Sequence, residues 1–85
     1  MNRSKVTHGM IERLLVINND IGTGKYPNTP KLAKKLEVSI ATISRDVEFL
    51  RDRLNAPIEY SFEKKGYYYK RKYQLFGEFE NYVLG

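Results

Sequence analysis

The sequence predicts a small α+β domain, mainly α, in which three helices are followed by a β-hairpin. The chain of 85 residues has room for one hydrophobic core. Before Pro57 its apolar residues recur at the three- and four-residue spacing of helices that bury one face. After Pro57 apolar and polar residues alternate, which is typical of a strand with one buried face.

The first helix is expected over residues 4–21. Ser4 is the expected N-cap, and Gly22 is expected to take the left-handed position that often follows a helix. The helix has an apolar stripe formed by Val6, Met10, Leu14, Ile17 and Ile21 and widened by Ile11 and Leu15.

Two further helices follow in quick succession. Thr29 before Pro30 predicts the start of the second helix, because threonine caps helix N-termini and proline suits the first helical position. This helix is expected to end near Glu37. Ser39 is the expected N-cap of a third helix over 39–54, whose buried stripe consists of Ile43, Val47, Leu50 and Leu54.

A β-hairpin, named the wing here, is expected over residues 58–72. Its first strand presents Ile58, Tyr60 and Phe62 on one face, and residues 63–66 form the turn. Residues 1–72 are expected to form the folded domain. Residues 73–85 are expected to be a C-terminal tail, or the start of a linker to a sensor domain that this chain lacks. For this stretch an added strand, a short helix and a loose segment all remain open.

The charge of the chain predicts a polyanionic partner. Its net charge is +5, and residues 73–85 contain Glu78 and Glu80 but no basic residue. The first 72 residues therefore hold all fifteen basic residues and eight acidic ones, a net charge of +7. A small basic domain is typical of proteins that bind nucleic acid or an acidic membrane surface.

Composition and motifs argue against several other classes. The chain has no cysteine and a single histidine, so we expect no metal and no other cofactor. It has no catalytic constellation, and we expect no enzymatic activity. No apolar run approaches the roughly 20 residues of a membrane span, and no signal peptide begins the chain. We therefore expect a cytoplasmic protein with no membrane partner.

Residues 30–54 have the pattern of a helix-turn-helix. A small residue, Ala33, stands where the second helix of such a unit packs across the first. Val38 supplies the apolar residue of the turn, and Ile43 and Val47 anchor the following helix from within. The hairpin that follows suggests a winged helix-turn-helix, in which basic residues of the wing reach the DNA backbone.

The exposed face of the third helix suits entry into the major groove. At about 100° per residue, the face opposite the buried stripe carries Ala41, Arg45, Glu48 and Asp52. Small, polar and basic residues dominate its N-terminal half, as a groove roughly 12 Å wide requires. The alternative interpretation is an ordinary amphipathic helix with a solvated face.

Several segments resemble the DNA-binding domains of bacterial transcriptional regulators. Residues 32–39 (LAKKLEVS) and 41–47 (ATISRDV) resemble the N-terminal winged helix-turn-helix of DeoR-type regulators. Residues 25–28, 49–60 and 65–69 look like the DNA-binding segment of WYL-domain regulators. The resemblance covers about residues 10–70, most of the chain.

The resemblance implies a bacterial DNA-binding domain and raises two further expectations. WYL-type regulators continue into a ligand-sensing domain, so an effector ligand is expected only if such a domain exists. Glu37 stands where DeoR-type sequences commonly have glycine. Because WYL-type relatives accept glutamate there, an ordinary helical backbone is implied at Glu37. Ser44 replaces the longer polar or basic residue of the family pattern.

We therefore expect sequence-specific binding of double-stranded DNA by a transcriptional regulator, with helix 39–54 in the major groove and the wing on the backbone. Arg45 is the expected base reader. The full set of expected DNA contacts is Thr29, Ser39, Ile40, Ala41, Thr42, Ser44, Arg45, Lys64 and Lys65. The main alternative is a winged-helix protein-interaction module without specific DNA readout. Binding of RNA or of single strands is a third interpretation.

A homodimer is a further expectation, because one module of this size reads only a short half-site. The tail segment 76–84, with Phe76, Phe79, Tyr82 and Leu84, is the local candidate for the interface.

Overall fold

A computed structural model of the chain describes residues 8–84. Four helices and one antiparallel two-stranded sheet follow each other in the order α1 (Met10–Gly22), α2 (Thr29–Leu36), α3 (Ile40–Arg53), β1 (Ile58–Ser61), β2 (Gly66–Tyr69) and α4 (Leu75–Leu84). The predicted fold class, a mainly α winged helix-turn-helix, is confirmed. The fourth helix is an addition to the three that the sequence predicts.

The first helix begins later than predicted. Residues 8 and 9 are not helical, and α1 begins at Met10 with Gly9 as an extended N-cap (φ −71°, ψ 168°). Glycine is a poor helix former, and Gly9 stands directly before the first helical residue. The predicted cap Ser4 and the apolar residue Val6 lie outside the described residues.

At its other end, α1 extends through Gly22, which the sequence places beyond the helix. Thr23 is the C-cap, and its backbone N–H donates to the Asn19 carbonyl at 2.9 Å. The left-handed residue comes two positions later than predicted, at Gly24 (φ +78°). The chain therefore gains one more residue of helix before the turn.

The caps of α2 and α3 fix the start of each helix. Asn28, and not Thr29, caps α2, because its side-chain oxygen accepts a hydrogen bond from the Lys31 backbone N–H at 2.9 Å. Ser39 caps α3 as predicted, accepting from the Thr42 backbone N–H at 3.0 Å.

The turn between α2 and α3 contains a left-handed Glu37 (φ 57°, ψ 45°). The helical backbone that the resemblance implies at this position is therefore wrong. The left-handed residue lets the Glu37 and Val38 N–H groups reach back to the last carbonyls of α2, at Lys34 and Ala33. A non-glycine residue here costs about 1–2 kcal/mol of backbone strain.

The core lies between the first three helices and the inner face of the hairpin. The predicted stripe of α3 is buried, and Ala33 and the half-buried Val38 pack where the helix-turn-helix pattern requires. Ile11 and Leu15 are exposed, so the predicted widening of the α1 stripe is wrong. The buried apolar residues are Leu14, Ile17, Ile21, Leu32, Ala33, Leu36, Ile43, Val47, Leu50, Leu54, Ala56, Ile58 and Leu75.

The hairpin is shorter than the predicted wing and less buried. Its strands pair from Ile58↔Tyr69 to Ser61↔Gly66, and no residue after Tyr69 is in a strand. Ile58 is buried, whereas Tyr60 is 39% exposed and Phe62, in the turn, is 85% exposed. The predicted apolar face of the first strand therefore leaves the core after Ile58.

The hairpin is attached to the loop that precedes α2. The Tyr67 N–H donates to the Pro27 carbonyl at 2.7 Å, so β2 has a backbone partner on each edge. Gly66 lies so close to this loop that a Cβ atom there would be 1.8 Å from the Tyr26 carbonyl oxygen. Only glycine allows this approach.

Helix α4 packs against the domain along one side. Leu75 is buried, Phe79 packs on the core, and the Tyr82 ring meets Phe49 of α3 edge-on at 5.6 Å. Phe76 and Leu84 remain 73% and 76% exposed. Within residues 8–84, no helix has the length and apolar character that crossing a membrane requires.

Candidate nucleic-acid interface

The outer face of α3 presents the predicted base-reading residues to solvent. Ile40 is 53% exposed, and Ala41, Ser44 and Arg45 are exposed as well. In the described part of the chain, Arg45 forms no ion pair. An unpaired guanidinium keeps its donors available for an incoming acceptor.

Ser39 and Thr42 are linked at the N-terminus of α3. Their hydroxyl oxygens lie 3.0 Å apart, in addition to the cap between Ser39 Oγ and the Thr42 N–H. Ser39 is exposed and Thr42 is half-buried. The pair therefore fixes the two hydroxyls beside the positive end of the helix dipole, where an anion is favoured.

A buried ion pair anchors α3 to α1. Asp46 is 2% exposed and receives two hydrogen bonds from Arg13, through Nε to Oδ2 and through Nη2 to Oδ1 at 3.1 Å. The hydrogen bond to Asp46 raises the pKa of the Arg13 guanidinium, although burial acts against it. The remaining arm of Arg13 donates to the His8 carbonyl at 2.8 Å.

The pair of Arg13 and Asp46 is not among the contacts predicted from the sequence, although the position of Asp46 on α3 indicates it. Asp46 lies three residues after Ile43 and directly before Val47, which places it beside the buried stripe of α3. A carboxylate in that position requires a buried cation, because an uncompensated charge in the core is costly. Arg45, the adjacent residue, points to solvent from a helix that this pair holds in place.

A second buried carboxylate joins α1 to α2. Asp20 is 4% exposed, and its Oδ2 accepts from Lys35 Nζ at 2.7 Å while its Oδ1 lies 3.5 Å from Lys25 Nζ. Each helix of the helix-turn-helix is therefore held to α1 by an ion pair as well as by apolar packing.

Thr29 lies at the first turn of α2 and connects that helix to the hairpin. Its hydroxyl oxygen is 3.2 Å from the Tyr67 hydroxyl, and both residues are half-buried. The structure thus joins Thr29 to the wing, a connection that the sequence pattern did not predict.

The wing tip, defined as residues 62–65, is held against the loop before α2. The Lys64 ammonium lies 5.3 Å from the centre of the Tyr26 ring, a cation–π contact. The Asn28 side-chain amide donates to the Lys65 carbonyl at 3.2 Å, and Lys65 has a left-handed backbone (φ 58°). Both lysines are exposed, so the tip presents two cations from an anchored turn.

The tyrosines after the turn pack and form hydrogen bonds. The Tyr69 hydroxyl donates to Asn18 Oδ1 at 2.7 Å, and the Tyr73 hydroxyl donates to the Leu54 carbonyl. Burial, with a smaller effect of Tyr73, raises the pKa of Tyr69, and burial with a smaller effect of Glu78 raises the pKa of Tyr73 to about 12. Both hydroxyls therefore remain protonated donors at neutral pH.

The predicted site residues form two groups. Ser39, Thr42 and the exposed residues of α3 lie at the start of one helix, whereas Lys64 and Lys65 lie at the wing tip, beside the loop and Asn28 cap that begin α2. Thr29 belongs to the second group through Tyr67.

One of three comparisons with known proteins gives a match. No curated protein and no solved structure matches the chain. A protein-family model described as "HTH domain" matches residues 27–68, the segment that runs from the loop before α2 through α3 to the second strand of the hairpin. This match supports a helix-turn-helix DNA-binding domain at residues 27–68, and with it a role in the regulation of transcription.

Proposed function

We propose that the domain binds double-stranded DNA in a sequence-dependent manner, as a transcriptional regulator of the DeoR or WYL type. Helix α3 enters the major groove and the wing contacts the backbone. One observation carries the proposal: the segment that matches the helix-turn-helix family contains α3, whose outer face is exposed while its inner face is fixed in the core.

Arg45 is the proposed base reader. It projects from the N-terminal half of α3, is exposed, and has no ion-pair partner within residues 8–84. A guanidinium can donate two parallel hydrogen bonds to the O6 and N7 atoms of guanine, the commonest specific contact in the major groove. Ile40, Ala41, Thr42 and Ser44 supply weaker contacts, including apolar ones to a thymine methyl group.

Thr29, Ser39, Lys64 and Lys65 are the proposed phosphate contacts. The first two lie at the N-termini of α2 and α3, where helix dipoles and free N–H groups favour an anion. The two lysines act as point charges, which attract phosphate without a fixed geometry. These contacts give affinity and position the protein, whereas Arg45 gives sequence preference.

Self-association through α4 is part of the proposal. Residues 1–72 form the DNA-binding unit, and the segment 73–85 supplies an apolar face. Phe76, Val83 and Leu84 are 60–76% exposed on α4, and Ile11 of α1 is 52% exposed beside Phe76. A two-fold dimer through this face would present two recognition helices to an inverted pair of half-sites. Sedimentation equilibrium tests it: Leu84→Lys is expected to shift a dimer to monomer.

The experiment that tests DNA readout uses the Arg45→Ala variant. Affinity is measured by fluorescence anisotropy on a preferred duplex, selected from a random pool, and on a random duplex. We expect a loss of about 1–3 kcal/mol on the preferred duplex and little change on the random one. Arg51→Ala is the matched control, because Arg51 is exposed on the same helix six residues further along.

Equal losses on both duplexes would reduce Arg45 to a phosphate contact. The alternative function, a protein-interaction module, has a different signature. In that case the wild-type domain would show no sequence preference, and its association with a protein partner through an apolar surface would not fall steeply with salt.

A further inference from the structure

The wing carries a row of three aromatic rings that leads from the core to solvent. Tyr67 is half-buried on the core, the Tyr60 ring lies 5.4 Å from it, and the Phe62 ring lies 5.1 Å from Tyr60. Exposure rises along the row, from 39% at Tyr60 to 85% at Phe62. The outermost ring is therefore a nearly free phenyl group on a supported base.

The register of the hairpin defines the direction of this row. Ile58↔Tyr69 and Tyr60↔Tyr67 are alternate pairs, so their side chains share one face of the hairpin. Ile58, Tyr67 and Tyr69 pack on the helices from that face. Tyr60 and Phe62 continue the same face beyond the edge of the core, on the helix side of the hairpin.

One hydrogen bond and one shared turn connect the row to the proposed DNA-binding residues. Its inner end is at Thr29, whose hydroxyl lies 3.2 Å from the Tyr67 hydroxyl. Its outer end, Phe62, belongs to the same turn as Lys64 and Lys65, with the acidic Glu63 between them. The exposed ring thus belongs to the same turn as two of the proposed phosphate contacts, so a duplex bound to them would pass close to it.

We propose that Phe62, supported by Tyr60, is an apolar wedge that enters the minor groove of the bound duplex. The inference rests on the proposed function. The sugar walls of the minor groove are apolar, and proteins that bind there insert phenylalanine, leucine or similar side chains between base steps. Lys64 and Lys65, exposed in the same turn, supply the cations that hold the DNA backbone beside the wedge.

The ring geometry favours duplex DNA over a single strand as the occupant. The planes of Tyr60 and Phe62 meet at 70°, and those of Tyr60 and Tyr67 at 79°. Successive bases of a single strand stack on ring faces that are presented to them in turn. A row of edge-to-face rings presents one protruding ring and no such platform, which suits insertion at one step.

Phe62→Ala and Phe62→Leu test the wedge in the full chain. Affinity for a duplex is measured over a range of salt concentrations, together with a single-strand competitor. We expect about tenfold weaker duplex binding for Phe62→Ala, the order of effect of leaving one phenyl group unburied. The salt dependence should be unchanged, because no phosphate contact is lost. Phe62→Leu should retain most of the affinity, since leucine also serves as a wedge.

Each other outcome overturns part of the account. If Phe62→Ala binds the duplex with wild-type affinity, Phe62 is not a wedge, and the proposed function is unaffected. A loss in Phe62→Leu as large as in Phe62→Ala, with single strands competing effectively, replaces the wedge by base stacking. A wild-type domain that binds no duplex at low salt overturns the proposed function, and the wedge with it. Circular dichroism melts confirm that the variants fold, as expected for changes at an exposed turn.

Discussion

Helix α3 and the wing are the two regions proposed to contact DNA, and they are fixed in opposite ways. The inner face of α3 is buried from Ile43 to Leu50, and Asp46 adds an ion pair with Arg13 in the same interior. In its two strands, the wing buries only Ile58 and Gly66. Its position depends on backbone bonds, ring contacts and the approach of Gly66 to Tyr26.

This difference separates stability from binding. Changes on the inner face of α3 are expected to destabilise the domain, so an effect on DNA binding would be mixed with a loss of folded protein. Changes at the wing tip remove exposed side chains, and surface substitutions of that kind usually alter stability by less than about 0.5 kcal/mol. The exposed side chains of the wing tip, like Arg45 on the outer face of α3, can therefore be changed to alter binding without unfolding the domain.

The largest expected effect on stability comes from breaking the buried ion pair between α1 and α3. Asp46→Ala leaves the Arg13 guanidinium without its carboxylate in a largely buried site, with side-chain exposure of 14%. We expect a loss of about 3–5 kcal/mol in the free energy of unfolding, measured by urea denaturation.

Two controls sharpen this result. Glu48→Ala removes an exposed carboxylate from the same helix and should change stability by less than about 0.5 kcal/mol. The double variant Arg13→Met, Asp46→Leu should recover most of the loss, because it removes both charges. If Asp46→Ala were as mild as Glu48→Ala, the ion pair would not be what fixes α3.

The next effect comes from detaching the wing. Gly66→Ala places a methyl group 1.8 Å from the Tyr26 carbonyl oxygen, which the backbone must move to avoid. We expect the free energy of unfolding to fall by about 2–3 kcal/mol. Hydrogen exchange should become faster at the Tyr67 N–H, which donates to the Pro27 carbonyl. Gly77→Ala is the matched control, because a Cβ there meets nothing closer than 3.8 Å. Equal melting temperatures for the two variants would contradict the close approach.

A smaller change, which stabilises the domain, is expected from a substitution in the turn between α2 and α3. Glu37→Gly relieves the left-handed strain at φ 57° and should raise the free energy of unfolding by about 1 kcal/mol. Lys34→Gly, inside α2, should lower it by a similar amount. A destabilised Glu37→Gly variant would mean that the glutamate side chain contributes more than its backbone costs.

The smallest expected change is in salt dependence. Lys64→Ala should weaken binding to all duplexes alike and reduce the slope of log affinity against log salt by about one. Lys70→Ala is the control, because the Lys70 ammonium already lies 3.5 Å from Glu59. An unchanged slope in Lys64→Ala would show that its contact with Tyr26 keeps the ammonium away from phosphate.

Much of the fold could be predicted because local signals agreed. Ser39 caps α3, Pro30 lies in the first turn of α2, and the stripe from Ile43 to Leu54 is buried, as spacing and capping chemistry predict. The change of period after Pro57 correctly located the hairpin.

The remaining features depend on contacts between distant segments. The pairing of Arg13 with Asp46 joins residues 33 positions apart, and Tyr67 meets Thr29 across 38 positions. The left-handed backbone at Glu37 is imposed by the packing of two helices, against the local preference of glutamate. The exposure of Phe62 follows from where the core ends, which alternation along one strand cannot reveal.

The most direct test of the central claim is selection of bound duplexes from a random pool, followed by sequencing, at near-physiological salt. We expect an enriched short motif that contains a guanine and whose enrichment is lost in Arg45→Ala. An inverted pair of such motifs at fixed spacing would also show that the protein binds DNA as a two-fold dimer. No enrichment, with binding that vanishes as salt is added, would contradict sequence-specific readout and leave only charge-driven contact.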